Sequence, residues 1–154
     1  MKWKIPPRIK VYEALGCLVD KRIKINDNTA EVTSSSRNKK YLVQYDSKNN
    51  AITANDNGSY WQGYLGYPAI AFLLAKNIIN CDRKLFSELG SIAWKDLNSK
   101  FKNDFIKTEN FILERVTDDN LRSDLENEAE RILRSIKELS LNKLRTIQKP
   151  PPVY

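Results

Sequence analysis

Residues 52–75 read ITANDNGSYWQGYLGYPAIAFLLA. The stretch leaves a strand, passes a loop carrying Tyr60, Trp61, Tyr64 and Tyr67, and enters an apolar run at Pro68. Proline is tolerated in the first turn of a helix, so Pro68 marks a helix start. Nearly every residue over 68–75 is apolar or small. That pattern predicts a helix over 68–79 buried on all sides rather than lying on the surface. Such a helix needs something to bury against.

The residues before it supply a sheet. Segments 23–25, 30–33, 41–45 and 51–54 have strand character, and Tyr41, Val43 and Tyr45 alternate with Leu42 and Gln44. Turn compositions at Asn26-Asp27-Asn28 and over 46–50 join them, which predicts an antiparallel meander. A sheet this small needs a helix across one face, and 68–79 is that helix. Upstream, Ile9, Val11, Tyr12, Leu15, Leu18 and Val19 recur at helical spacing, with Gly16 a weak point or a site of close packing.

Downstream the chain reads as helical. Asp82 can cap a short helix that Gly90 ends, and Ser91 a longer one through Trp94, Leu97, Phe101, Phe105, Ile112 and Val116. Asp118 and Asp119 open a last helix striped by Leu121, Leu125, Ala129, Ile132, Ile136 and Leu139. If it runs on to the basic residues Lys143, Arg145 and Lys149 it spans about 29 residues, roughly 43 Å. Pro150-Pro151-Pro152 stops it. The expected fold class is α+β: an N-terminal helix and a four-stranded antiparallel meander packed on a buried helix, then a C-terminal helical hairpin. Residues 1–80 form the α+β core, and 81–154 a helical extension packed on it, with a short Pro-rich tail.

Composition narrows the chemistry. The chain has 154 residues, 41% of them hydrophobic, enough for a real core. It has no histidine, which removes Ser-His and Cys-His nucleophile pairs and His-ligated metal sites. No glycine-rich phosphate loop occurs, and Glu126, Glu128 and Glu130 alternate along a helix as a solvated surface would. Cys17 and Cys81 lack CxxC spacing and read as buried thiols, with a disulfide the sharper alternative. No apolar run is long enough for a membrane span and no secretory signal is visible, so the expected location is cytoplasmic.

The net charge is +7, and residues 1–50 carry eleven Lys and Arg against five Asp and Glu. Attraction to a polyanion should therefore begin in that third. Lys21, Arg22 and Lys24 flank the first strand, and Arg37, Lys39 and Lys40 crowd the turn before the third. Together on one sheet edge they would contact phosphates. As a solvated surface they would only protect a strand edge. The loop offers Asn55, Asp56, Tyr60, Trp61, Tyr64 and Tyr67. Its rings can stack bases or grip a peptide. Alternatively Trp61, Tyr64 and Tyr67 pack inward as a second small core.

The order of strand, loop and helix, with Ala54-x-Asp56 on the strand and Gly66-x-Pro68-Ala69-x-Ala71 on the helix, resembles a SWIM-type zinc finger over about residues 30–76. In that family the strand carries CxC and the helix CxH. Here alanine or aspartate stands at each ligand position, so the resemblance implies a metal-free version held by packing, with no cofactor. Read without the family, Ala69 and Ala71 are small residues in a tight helix–sheet contact. The resemblance implies a binding module rather than an enzyme. The expected function is nucleic-acid binding through the basic N-terminal sheet surface. The alternative is a protein–protein interaction module using the aromatic loop over 55–67 or the C-terminal amphipathic helix, with a homodimer through that helix.

Overall fold

A computed structural model describes residues 1–144 and 148–152. The protein is α+β, as the pattern predicts. Helix α1 (Ile9–Val19) is followed by strands β1 (Ile23–Asn26), β2 (Thr29–Thr33), β3 (Lys40–Asp46) and β4 (Ala51–Ala54). They pair antiparallel in sequence order, with Ala30 opposite Val43 and Val43 opposite Ala54. The register puts Ala30, Val32, Tyr41, Val43, Ile52 and Ala54 on one buried face. Asp27 and Asn50 adopt positive φ at the two turns, a conformation Asn and Asp tolerate well.

Helix α2 (Tyr67–Ala75) lies across that face, and all seven residues over 68–74 are buried. Helix α1 packs on α2 and is itself covered by the C-terminal helices, so every residue over 9–17 except Lys10 is buried. Gly16 resolves as a close-packing point: a Cβ there would stand 2.9 Å from the carbonyl oxygen of Leu89 and from Trp94 Nε1. Both thiols are free. Burial pushes the Cys17 thiol up to about 11, which keeps it protonated and unreactive at neutral pH.

The C-terminal half departs from the simple hairpin. Asp82 caps a 3-10 turn (Arg83–Leu85) rather than a continuous helix, and a second turn spans Ser87–Leu89. Ser91 takes positive φ and gives its N–H to Asp20, so the next helix, α3 (Trp94–Lys100), starts later. Lys102 and Asn103 both take positive φ, and Asp104 caps a separate helix α4 (Phe105–Glu114). Asp118 caps α5 (Asp119–Leu139) as expected. Leu125, Ala129, Ile132 and Ile136 of its stripe are buried in the chain's own core. The apolar side of this helix is thus taken up within the chain.

Helix α5 ends ten residues short of Lys149. Ser140 turns left-handed, buried Leu141 follows, and Asn142–Lys143 forms β5, paired parallel with β4. The N-terminus completes this edge: Trp3 Nε1 donates to the Ile52 carbonyl at 2.8 Å, and Lys143 N donates to the Met1 carbonyl at 2.7 Å. Arg145 lies outside the described residues, as do the last two residues of the Pro-rich tail. Among the described residues no helix is long and apolar enough to cross a membrane.

Candidate functional site

The loop between β4 and α2 is closed by one buried carboxyl group. Asp56 Oδ1 accepts from Ser59 Oγ at 2.6 Å and Oδ2 from Ser59 N at 3.2 Å. Ser59 Oγ in turn accepts from Gly66 N at 3.0 Å. Aspartate, serine and glycine thus tie the loop's two ends together. Burial raises the Asp56 pKa above the ordinary carboxylate value, against the opposing pull of the Ser59 hydrogen bonds. Asn55 continues the sheet edge, accepting from Leu42 N at 2.8 Å and donating to the Lys149 carbonyl at 3.3 Å.

Within the loop the aromatic residues separate. A π-helical turn, Gly58–Gln62, projects Trp61 outward, 69% exposed, with the Tyr60 ring edge-on to it at 4.7 Å. Tyr64 packs half-buried over Gly58, and Tyr67 meets Tyr41 edge-on at 6.3 Å. Tyr64 and Tyr67 therefore lean inward, but Trp61 does not, and the inward apolar anchor is Leu65. The concentration of rings drew attention away from that leucine. The alanines at 54, 69 and 71 are all buried beside this loop.

The basic residues do not form one exposed surface. Thr33 N donates to the Arg22 carbonyl, and Thr33 stands opposite Lys40, so both clusters reach the same end of the sheet. Arg22, however, is only 4% exposed. Its guanidinium donates to the Thr33 carbonyl at 2.7 Å, lies 3.6 Å from Asp20 and faces the Tyr67 ring at 5.9 Å. Lys39 points inward too, on the same side of its strand as Tyr41 and Val43, and is 8% exposed. Lys24 and Lys40 emerge on the outer sheet face but flank Glu31, with Lys40 Nζ 3.2 Å from its carboxylate. Lys21 and Arg37 are exposed, each at positive φ.

The structure brings part of each predicted site to one polar cleft of about 210 Å³. The turn over 34–39 forms one wall, Asn57 and Gly58 of the aromatic loop another, and Lys95, Asn98 and Ser99 of α3 a third. Lys10 and Glu13 of α1 and the rings of Tyr41, Tyr67 and Trp94 also line it. Lys10 Nζ sits 2.8 Å from Glu13, whose other oxygen accepts from Asn98 Nδ2 at 3.0 Å. Burial opposes the Lys10 charge, but Glu13, Tyr64 and Asp56 together outweigh it and the lysine pKa stands above its ordinary value. Burial likewise raises the pKa of both lining tyrosines. Sequence reasoning missed this cleft because its walls come from α1, the turn over 34–39, the aromatic loop and α3, segments far apart in the chain. The one local signal was the polar run Ser34-Ser35-Ser36-Arg37-Asn38-Lys39, which reads equally well as a turn.

No curated protein and no solved structure matches the chain. A family model described as "Uncharacterised conserved protein UCP014422" matches residues 3–142, spanning the sheet, the loop, the cleft and α5. The chain belongs to that family.

Proposed function

We propose that the protein is a non-catalytic binder of single-stranded nucleic acid, engaged at the cleft and its rim rather than across the outer sheet face. The observation that carries this reading is the position of Trp61. It is 69% exposed on the same loop whose Asn57 and Gly58 line the cleft. Trp61 follows Gly58 by three residues in the same π-helical turn, so the segment that borders the cleft also carries an exposed indole. Base stacking on an aromatic face combined with phosphate contacts is how proteins grip single strands. Arg37 and Lys95, exposed beside the cleft, are the phosphate partners. Lys40, already neutralised by Glu31, contributes little.

Trp3 is buried and Trp94 lines the cleft, so the part of the fluorescence quenching by a short oligonucleotide that is lost in Trp61→Phe reports on Trp61. Binding is expected to quench the emission and to weaken steeply as salt rises. Trp61→Ala should lower affinity about tenfold, within the usual worth of one stacked base. Unchanged affinity of Trp61→Ala for the strand would sink the reading. If a protein partner uses the loop instead, the oligonucleotide leaves the emission untouched.

Kinship with SWIM domains is part of this proposal. Its support is the burial of Ala54, Ala69 and Ala71 together with the Asp56 lock, a cross-link in the place a metal would take. A chain carrying Ala54→Cys, Asp56→Cys, Ala69→Cys and Ala71→His is expected to bind zinc and to be stabilised by it. A folded variant that ignores zinc counts against the kinship.

A further inference from the structure

Two groups in the cleft bear on what it could receive. Lys39 is 8% exposed, lines the cavity, and has no carboxylate within ion-pair distance among the described residues. Its ammonium makes no side-chain hydrogen bond or ion pair to a described group, so it is available to an anion that enters the cleft. Asn98 Oδ1 is the second: it is buried and accepts from no described group, while the amide's nitrogen donates to Glu13. An acceptor in that state calls for a hydroxyl or amino hydrogen. Of the other charges, Lys10 and Glu13 pair with each other and Asp56 is bonded to Ser59, while Lys95 stands exposed at the rim.

The wall above Lys39 suits a tetrahedral anion. Lys39 N donates to Ser34 Oγ, and Arg37 N to the Ser34 carbonyl, so the turn is braced from within. The backbone N–H groups of Ser35, Ser36 and Asn38 donate to no described group. Unspent amides on a turn with a left-handed residue, beside a lysine, are a recurring way to receive phosphate.

We propose that the cleft is a pocket for a phosphate monoester, with Lys39 holding the anion and Asn98 Oδ1 accepting a hydrogen from the group that bears it. A nucleoside monophosphate has both features, either free or as the phosphorylated end of a strand. This deepens the nucleic-acid reading and rests on it for the nucleoside.

The test is titration of the full chain, at low salt, with adenosine 5′-monophosphate, adenosine and inorganic phosphate, followed by calorimetry. The monophosphate is expected to bind saturably and at least about tenfold tighter than adenosine, as one charge-assisted contact implies. Inorganic phosphate should compete with it. Lys39→Met should lose about tenfold for the monophosphate and nothing for adenosine, with Lys39→Arg keeping most of the affinity. Equal binding of monophosphate and adenosine by the unaltered chain overturns the pocket even if Lys39→Met fails to fold. So does a folded Lys39→Met that binds the monophosphate normally. Oligonucleotides with 5′-phosphate and 5′-hydroxyl ends separate the sources: a preference for the former assigns the pocket to strand ends, equality to a free nucleotide. Trp61-dependent strand binding without phosphate discrimination removes the pocket and leaves the nucleic-acid reading. Lys39-dependent monophosphate binding without any strand binding does the reverse.

Discussion

Gly66→Ala is expected to destabilise the protein by about 3–5 kcal/mol, seen as a lower urea midpoint with the slope of the transition unchanged. An added Cβ would stand 2.0 Å from Asp56 Oδ2 and 2.6 Å from its carboxyl carbon, inside any tolerable contact. The backbone at Gly66 is extended, with φ −75°, so the residue is glycine for space and not for conformation. The obstructing carboxyl cannot swing aside cheaply. It is buried and holds Ser59 through two hydrogen bonds, and Ser59 holds Gly66 itself. Moving it strands two or three buried polar groups, each costing about 1–3 kcal/mol. Gly90→Ala serves as the comparison. There a Cβ would meet a Val19 methyl at 3.0 Å, a contact that side-chain adjustment relieves, and a cost near 1 kcal/mol is expected. If Gly66→Ala were no worse than Gly90→Ala, the Asp56–Ser59–Gly66 lock would not be what closes the loop.

That lock shows where sequence reasoning stops. The period-two strands, the apolar helix at Pro68 and the Asp118 cap are local signals, and each appears where it is expected. Asp56 was singled out from its neighbours in sequence, but nothing local says that its carboxyl turns onto Ser59 rather than toward solvent or a ligand. The broken helix before α4 was legible, since Asn103-Asp104 is a stop followed by a cap. Even spacing of Phe101 and Phe105 masked it. Lys39 was legible as well. It shares the parity of Tyr41, Val43 and Tyr45, so strand alternation alone turns it inward. Counting it with Lys40 as one basic patch set charge above parity. The cleft was not legible, because the Lys10–Glu13 pair becomes part of a site only when α3 brings Asn98 to it.

Arg22 was the most misleading of the basic residues, and its replacement gives the second large effect. Arg22→Ala is expected to cost about 3 kcal/mol in unfolding free energy. Three losses combine. The Thr33 carbonyl, next to the β2–β3 turn, loses the guanidinium donor at 2.7 Å. Asp20, largely buried, loses the cation 3.6 Å away, although it keeps the Ser91 N–H at 2.7 Å. The Tyr67 ring loses the charge over its face, worth about 1 kcal/mol in a partly desolvated place. Lysine is not an adequate substitute, because a single ammonium cannot serve a carbonyl, a carboxylate and a ring face at once. By contrast Lys24→Ala, on the outer sheet face, should change stability by no more than about 0.5 kcal/mol. Thermal unfolding of the two variants side by side discriminates these roles. Equal melting temperatures would return Arg22 to the surface. A gap of several degrees in the expected direction makes it the post that ties the end of α1 to the sheet and to the start of α2. The cleft wall over 34–39 begins one residue beyond the carbonyl it holds, so the same variant should also loosen the turn that lines the cleft.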